Sequence, residues 1–170
     1  MQHDRRQAMR CLALAGIGAI AAPSWANAPA SARPAPDFTL KTLAGPALRL
    51  VEQRGSVLML NFWATWCAPC REEMPHLARL HDKYRASGFS VLGINVDEKP
   101  AVATTAASRM ALPFPVLFDS DKAVAKAYDV STMPSSFFVD RDGRVRHVHK
   151  GYRSGDEAVH EQLLRGLLKE

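Results

Sequence analysis

Val57-Leu58-Met59-Leu60-Asn61-Phe62-Trp63 is an apolar run interrupted only by Asn61, with Gly55 before it and the turn-like pair Ala64-Thr65 after it. A strand with one wet face would alternate apolar and polar residues, so an unbroken run of this length marks a strand covered on both faces. Such a strand belongs in the middle of a sheet with helices on either side. Immediately downstream the period changes. From Ala68 to about Ala86, Met74, Leu77, Ala78, Leu80 and Tyr84 recur at spacings of three or four with charges between them, which predicts an amphipathic helix. Gly88 ends it, and Pro75 inside it removes one backbone donor and predicts a kink.

The remaining pattern extends this alternation. Phe38 to Leu40 and Leu48 to Val51 flank Gly45-Pro46 as strand, turn and strand. Phe89 to Val96 reads as a second buried strand, Pro100 to Ala111 as a helix stopped by Pro113, and Val116 to Phe118 as a short strand. Lys122 to Tyr128 suits a helix. Ser136 to Val139 and Arg144 to His149 are strands joined by the hairpin signal Asp140-Arg141-Asp142-Gly143. Asp156 to Leu168 closes the chain as an amphipathic helix. The prediction is an α/β fold in which helices flank a mixed central sheet, preceded by an N-terminal β-hairpin.

The first 28 residues have a different character. Arg5, Arg6 and Arg10 precede an apolar stretch from Cys11 to Ala22, then Pro23 and the small-residue pattern Ala26-Asn27-Ala28. This is the tripartite form of a secretory signal peptide, with cleavage expected after Ala28. The apolar stretch falls short of the roughly 20 residues needed to span a bilayer, which argues against an uncleaved anchor. Arg5-Arg6 resembles a twin-arginine export signal, although Asp4 and Ala8 replace the usual Ser or Thr and the usual Phe, so the export route stays open. Residues 29–36 hold three prolines and read as an extended, mobile leader, leaving residues 37–170 as the domain. Export predicts a periplasmic or equivalent location. Losing residues 1–28 removes three Arg and one Asp, so the formal charge falls from +5 to +3, a balance that does not select a partner class.

Of the three cysteines, Cys11 leaves with the peptide and only Cys67 and Cys70 remain. No framework of structural disulfides can be built from one pair. Cys67-Ala68-Pro69-Cys70 leaves a buried strand and opens a helix, which puts the Cys67 sulfur beside unpaired N–H groups that favour a thiolate. Cys67 is the expected nucleophile, and Cys70, one turn into the helix, the resolving thiol. Zinc would need further ligands, and no second CxxC or HxxxH is present. A structural bridge over so short a loop would be an odd sole cross-link in a domain large enough to pack its own core.

The sequences Asn61-Phe62-Trp63-Ala64-Thr65-Trp66-Cys67-Ala68-Pro69-Cys70-Arg71-Glu72-Glu73-Met74-Pro75 and Tyr128-Asp129-Val130-Ser131-Thr132-Met133-Pro134-Ser135-Ser136-Phe137 resemble the TlpA-like branch of the thioredoxin superfamily, which includes ResA and the cytochrome c maturation reductases. The likeness covers about residues 36–168. It implies a thioredoxin fold with a central strand-helix insertion, and a protein disulfide reductase with no cofactor beyond its redox-active cysteine pair. It further implies that Pro134 is a cis-proline packed against the dithiol and that the Met133 backbone pairs with substrate. Glu73 matches the active-site glutamate of the ResA-like proteins. The acidic residue that thioredoxin carries in the preceding strand is replaced here by Asn61, which cannot exchange a proton at neutral pH. Trp63 reads as core. Trp66 is expected to cover the sulfur and, with Ala68, Pro69 and Met133, to form the surface that meets a client. The partners implied are a disulfide-bearing client protein and a membrane electron donor of the DsbD or CcdA kind, with the protein itself a monomer.

Two other chemistries fit parts of the pattern. The dithiol could bind Cu(I) in a metal-handling assembly factor, with Met133 assisting. Pro36-Asp37-Phe38 also resembles the opening of peroxiredoxins, but Ala64 stands where their Thr-x-x-Cys context needs Thr. His147-Val148-His149 puts two imidazoles on one strand face, read as exposed residues of an edge strand rather than as a metal site, and no metal site is expected. His76 and His81 point about 140° apart around their helix and do not converge. No phosphate loop, dinucleotide-binding glycine pattern or nucleic-acid-binding stripe is present, so no nucleic-acid partner is expected.

Overall fold

A computed structural model describes residues 32–170; the signal peptide, Arg5-Arg6, Cys11 and the first residues of the leader lie outside the described residues. The elements are β1 (Arg33–Pro34), β2 (Thr39–Lys41), β3 (Ala47–Arg49), β4 (Val57–Trp63), α1 (Ala68–Tyr84), β5 (Phe89–Asn95), α2 (Pro100–Met110), β6 (Val116–Phe118), α3 (Ala123–Ala127), β7 (Ser135–Val139), β8 (Arg144–Lys150) and α4 (Asp156–Leu168). The main sheet runs β1-β8-β7-β4-β5-β6, with β2 and β3 forming the separate hairpin. β4 is central, parallel to β5 and antiparallel to β7, and all seven of its residues are buried. This is the thioredoxin fold.

The strand pleat sorts the core into two layers. Asn61 on β4 stands opposite Ser136 on β7, and Ser136 opposite His149 on β8. Residues directly opposite in register share a face, so these three form a polar row across the sheet. The helices α1 and α4 cover that face side by side: Lys83 donates to Glu161 at 2.6 Å and the rings of His76 and His160 lie 5.6 Å apart. Phe62 and Phe137 point to the other face, where they pack with Tyr128 just past α3, centroids 5.5 and 5.1 Å from its ring. α1 continues through Pro75 and ends before Gly88, whose φ of +83° is left-handed backbone that glycine tolerates.

Three features were not evident in the sequence pattern. Arg33 and Pro34, read as leader, pair with Val145 and Arg144 as an edge strand; Ala35 N–H donates to the Gly143 carbonyl and the Tyr128 hydroxyl to the Pro36 carbonyl. A proline-rich pattern hides an edge strand because proline can sit there without losing a ladder bond. At the opposite edge, Leu43 N–H donates to the Val116 carbonyl, so the hairpin end lies against β6. α2 stops at Ala111 in a left-handed turn, φ 48°, before Pro113 is reached.

Candidate functional site

Cys67 is the N-cap of α1. Its extended backbone, φ −87° and ψ 107°, turns the sulfur over the first helical turn, where it accepts the Cys70 N–H at 3.3 Å. Pro69 fits the opening turn because its missing N–H would have had no partner there. Cys67 and Cys70 are joined as a disulfide, Cα atoms 5.3 Å apart. Cys67 keeps a sliver of exposure and Cys70 none. Trp66 beside them is 68% exposed, whereas Trp63 is fully buried. Trp66 therefore presents an aromatic face to solvent at the mouth of the site, along a shallow groove shared with Val96 and Val102.

The loop leading to Cys67 is held by a carboxylate that the sequence reading did not single out. Asp97, just past β5, accepts the Thr65 N–H at 2.9 Å, the Thr65 hydroxyl at 3.1 Å and the Asn95 amide at 2.7 Å. Arg71 on α1 donates to the Thr65 carbonyl at 2.6 Å. Both polar groups of the Thr65 backbone are thus fixed, and with them the point from which the dithiol turn departs.

The Met133–Pro134 peptide bond is cis. β7 runs antiparallel to β4 with Ser135 opposite Phe62, so Pro134 lies at the end of β4 from which the dithiol loop leaves. Pro134 is buried, Met133 half-buried and Thr132 exposed, leaving this edge of the segment open beside the dithiol end of the sheet. Ala68 and Pro69 are exposed as well.

Glu73 is fully buried while its neighbour Glu72 is exposed. Its Oε2 accepts the Asn61 amide at 2.9 Å, and the same amide donates to the Ser136 hydroxyl at 3.0 Å. Its Oε1 faces His160 Nδ1 at 3.7 Å. Burial pushes the carboxyl up to about 8, opposed by the Asn61 hydrogen bond and reinforced by the charge of Asp156. Burial also holds His160 down to about 4, helped by His149 and His76 and opposed by Asp156 and Glu157. At neutral pH the pair is an uncharged carboxylic acid facing an uncharged imidazole. His149, read from sequence as an exposed edge residue, is half-buried, its Nε2 3.1 Å from Asp156 Oδ2. The strand pattern could not show this, because the cover comes from α4. Among the described residues no group of three or more His, Cys, Asp or Glu side chains is arranged to hold a metal ion.

The AhpC/TSA family matches residues 32–148. Thiol-disulfide oxidoreductase ResA of Geobacillus thermodenitrificans is 39% identical over 117 residues, 69% of this chain and 67% of that protein. ResA of Bacillus thuringiensis subsp. konkukian is 36% identical over 135 residues, 79% and 75% of the two chains. This chain belongs to the ResA-like thiol-disulfide oxidoreductases. The solved structures agree. A Chlorobium tepidum protein provisionally assigned as the thiol:disulfide interchange protein DsbE superimposes with TM-score 0.79 at 37% identity, over 81% of this chain and 97% of its own. A secreted thiol-disulfide isomerase from Corynebacterium glutamicum gives 0.71 at 27% identity, over 79% and 85%.

Within this oxidoreductase, His160 and His76 were not foreseen beside Glu73, and one signal marks all three. His160 sits four before Leu164 and seven before Leu167, squarely on the buried stripe of α4. His76 and Glu73 interrupt the buried stripe of α1 in the same way. A titratable side chain on an apolar stripe could have been singled out, but only the packing of α1 on α4 shows that three such interruptions meet.

Proposed function

We propose that this oxidoreductase is an exported protein-disulfide reductase, working outside the cytoplasm on client proteins in cytochrome c or other metalloprotein maturation. The observation that carries the reading is the Cys67–Cys70 pair at the start of α1, backed by a buried carboxylic acid one turn further on. The Cys67 thiolate attacks a client disulfide, forming a mixed disulfide and releasing one client thiolate. Cys70 then attacks the Cys67 sulfur, its thiol proton passing to Glu73 in the minor, ionised fraction that a carboxyl titrating near 8 keeps at neutral pH, and the second client thiolate leaves. A carboxyl that titrates near 8 can both accept and return a proton close to ambient pH. The cis-Pro134 segment, with the Met133 backbone, offers hydrogen-bonding groups to the client strand, and Trp66, Ala68 and Pro69 form the apolar surround. In this scheme the dithiol carries the electrons, and the reading calls for no further cofactor.

The signal-like residues 1–28 support export, and the resemblance to a secreted isomerase is in keeping with it. A reductant outside the cytoplasm has to be recharged, which calls for an electron-passing membrane partner of the DsbD or CcdA kind. The test is the reduction potential of the couple, by equilibration of the mature protein with graded dithiol buffers. A value near or below about −250 mV supports the reductase, and one near −120 mV overturns the direction.

A further inference from the structure

Five buried polar atoms without a hydrogen-bond partner lie together: Asn61 Oδ1, Glu73 Oε1, His76 Nε2 and both ring nitrogens of His160. Among the described residues only Trp63 Nε1 shares that condition. Buried polar atoms are paired in the great majority of cases, so a concentration of unpaired ones points to a role other than packing. A leucine would fill the His160 position on the α4 stripe without leaving two ring nitrogens unpaired.

Glu73 has no exposure, so a proton it accepts has to leave through a neighbour. Its hydrogen-bond partners on the sheet, Asn61 and, through it, Ser136, are not titratable near neutral pH. His160 carries an imidazole that can take up a proton at one nitrogen and give one up at the other, and its Nδ1 is 3.7 Å from the free carboxyl oxygen. The His160 ring packs edge to face on His149, centroids 4.6 Å apart. His149 in turn meets Asp156, and these two side chains are 21% and 24% exposed, so the series runs from closed to open.

We propose that His160 relays protons between the buried Glu73 carboxyl and the His149–Asp156 pair at the surface, accepting at Nδ1 and releasing from Nε2. The proposal rests on the proton-handling reading of Glu73. When Cys70 attacks the mixed disulfide, its thiol proton goes to Glu73 and then to His160. The imidazolium so formed loses its Nε2 proton toward His149, a hand-over that needs one ring to turn. Electrons move only among the sulfurs. Other groups bias the relay. From α1, His76 faces the His160 ring at 5.6 Å, with Arg79 beside it. From α4, Glu157 and Glu161 act on His76, and Tyr152 donates to Glu157 within the field of Glu73.

The test follows the reduced protein reacting with dithiobis(nitrobenzoate) between about pH 6 and pH 10. The first coloured thiolate reports attack by Cys67 and the second attack by Cys70. In the unaltered protein the second phase should accelerate with pH through the Glu73 titration, and Glu73→Gln should remove that inflection. His160→Gln should leave the first phase unchanged, slow the second about tenfold at pH 7 and move its inflection up by about one pH unit. If Glu73→Gln removes the inflection while His160→Gln keeps the rates and pH profile of the unaltered protein, the relay is overturned and Glu73 stands. If Glu73→Gln keeps the inflection, the reading of Glu73 itself fails and the relay with it. Should His160→Gln not fold, His149→Gln at the surface decides: about a threefold slowing of the second phase supports the relay, and an unchanged rate overturns it.

Discussion

Replacing Glu73 by Gln should make the oxidised protein more stable, by an amount that grows with pH. In the folded chain the carboxyl titrates near 8, against an ordinary 4.5. Between those values the unfolded chain has released the proton and the folded chain has kept it, so the unfolded state binds fewer protons and stability falls as pH rises. The loss is small at pH 5, reaches about 3 kcal/mol at pH 7 and levels off at about 5 kcal/mol above pH 8. Gln has nearly the same shape, can accept the Asn61 amide, and can turn its own N–H toward His160 Nδ1. The difference in unfolding free energy between variant and parent should therefore shift in favour of Gln by about 4 kcal/mol from pH 5 to pH 9. Urea unfolding of both proteins, with the disulfide intact so that no thiol titrates, measures it, and groups common to both cancel. A difference that stays flat across that range would mean Glu73 is not a neutral acid in the folded protein, and the argument from its burial would fail.

Cys67→Ser should abolish reduction of insulin disulfides, whereas Cys70→Ser should accumulate a mixed disulfide at Cys67, seen as an added client mass that dithiothreitol removes. Trp66→Ala should leave stability within about 0.5 kcal/mol, because the side chain is mostly exposed, yet lower kcat/KM for protein disulfides about tenfold more than for a small aromatic disulfide. Asp97→Ala strips the Thr65 N–H and the Asn95 amide of their acceptor and should cost about 2–4 kcal/mol in urea unfolding, most of it restored in Asp97→Asn. Leu60→Ala in the fully buried β4 should cost about 2–5 kcal/mol by the same measurement.

What could be read in the chain beforehand was whatever is encoded locally. The run from Val57 to Trp63 became β4 at both of its ends, and α1, β5, β6, β8 and α4 fell within a residue or two of their periodicity. The dithiol was legible because a strand, a turn and a helix start are consecutive in sequence. The surroundings of Glu73 were not, since Asn61, Ser136, His149 and His160 come from four elements and meet only through strand register and the seating of α4 on α1. Asp97 escaped for the same reason: it acts on a loop 32 residues earlier in the chain.

The stretch from Pro34 to Thr42 ties the two rims of the sheet together. Its start pairs with β8 and its end lies against β6, with Tyr128 holding the Pro36 carbonyl in between. Each rim is thereby touched from within the chain, β8 at Arg144 and Val145 and β6 at Leu117. A strand added at those positions would have to displace the chain's own stretch. The short segment before Pro134, exposed at Thr132 and half-buried at Met133, stays uncovered beside the sulfurs, so that a chain meeting it there meets the disulfide as well.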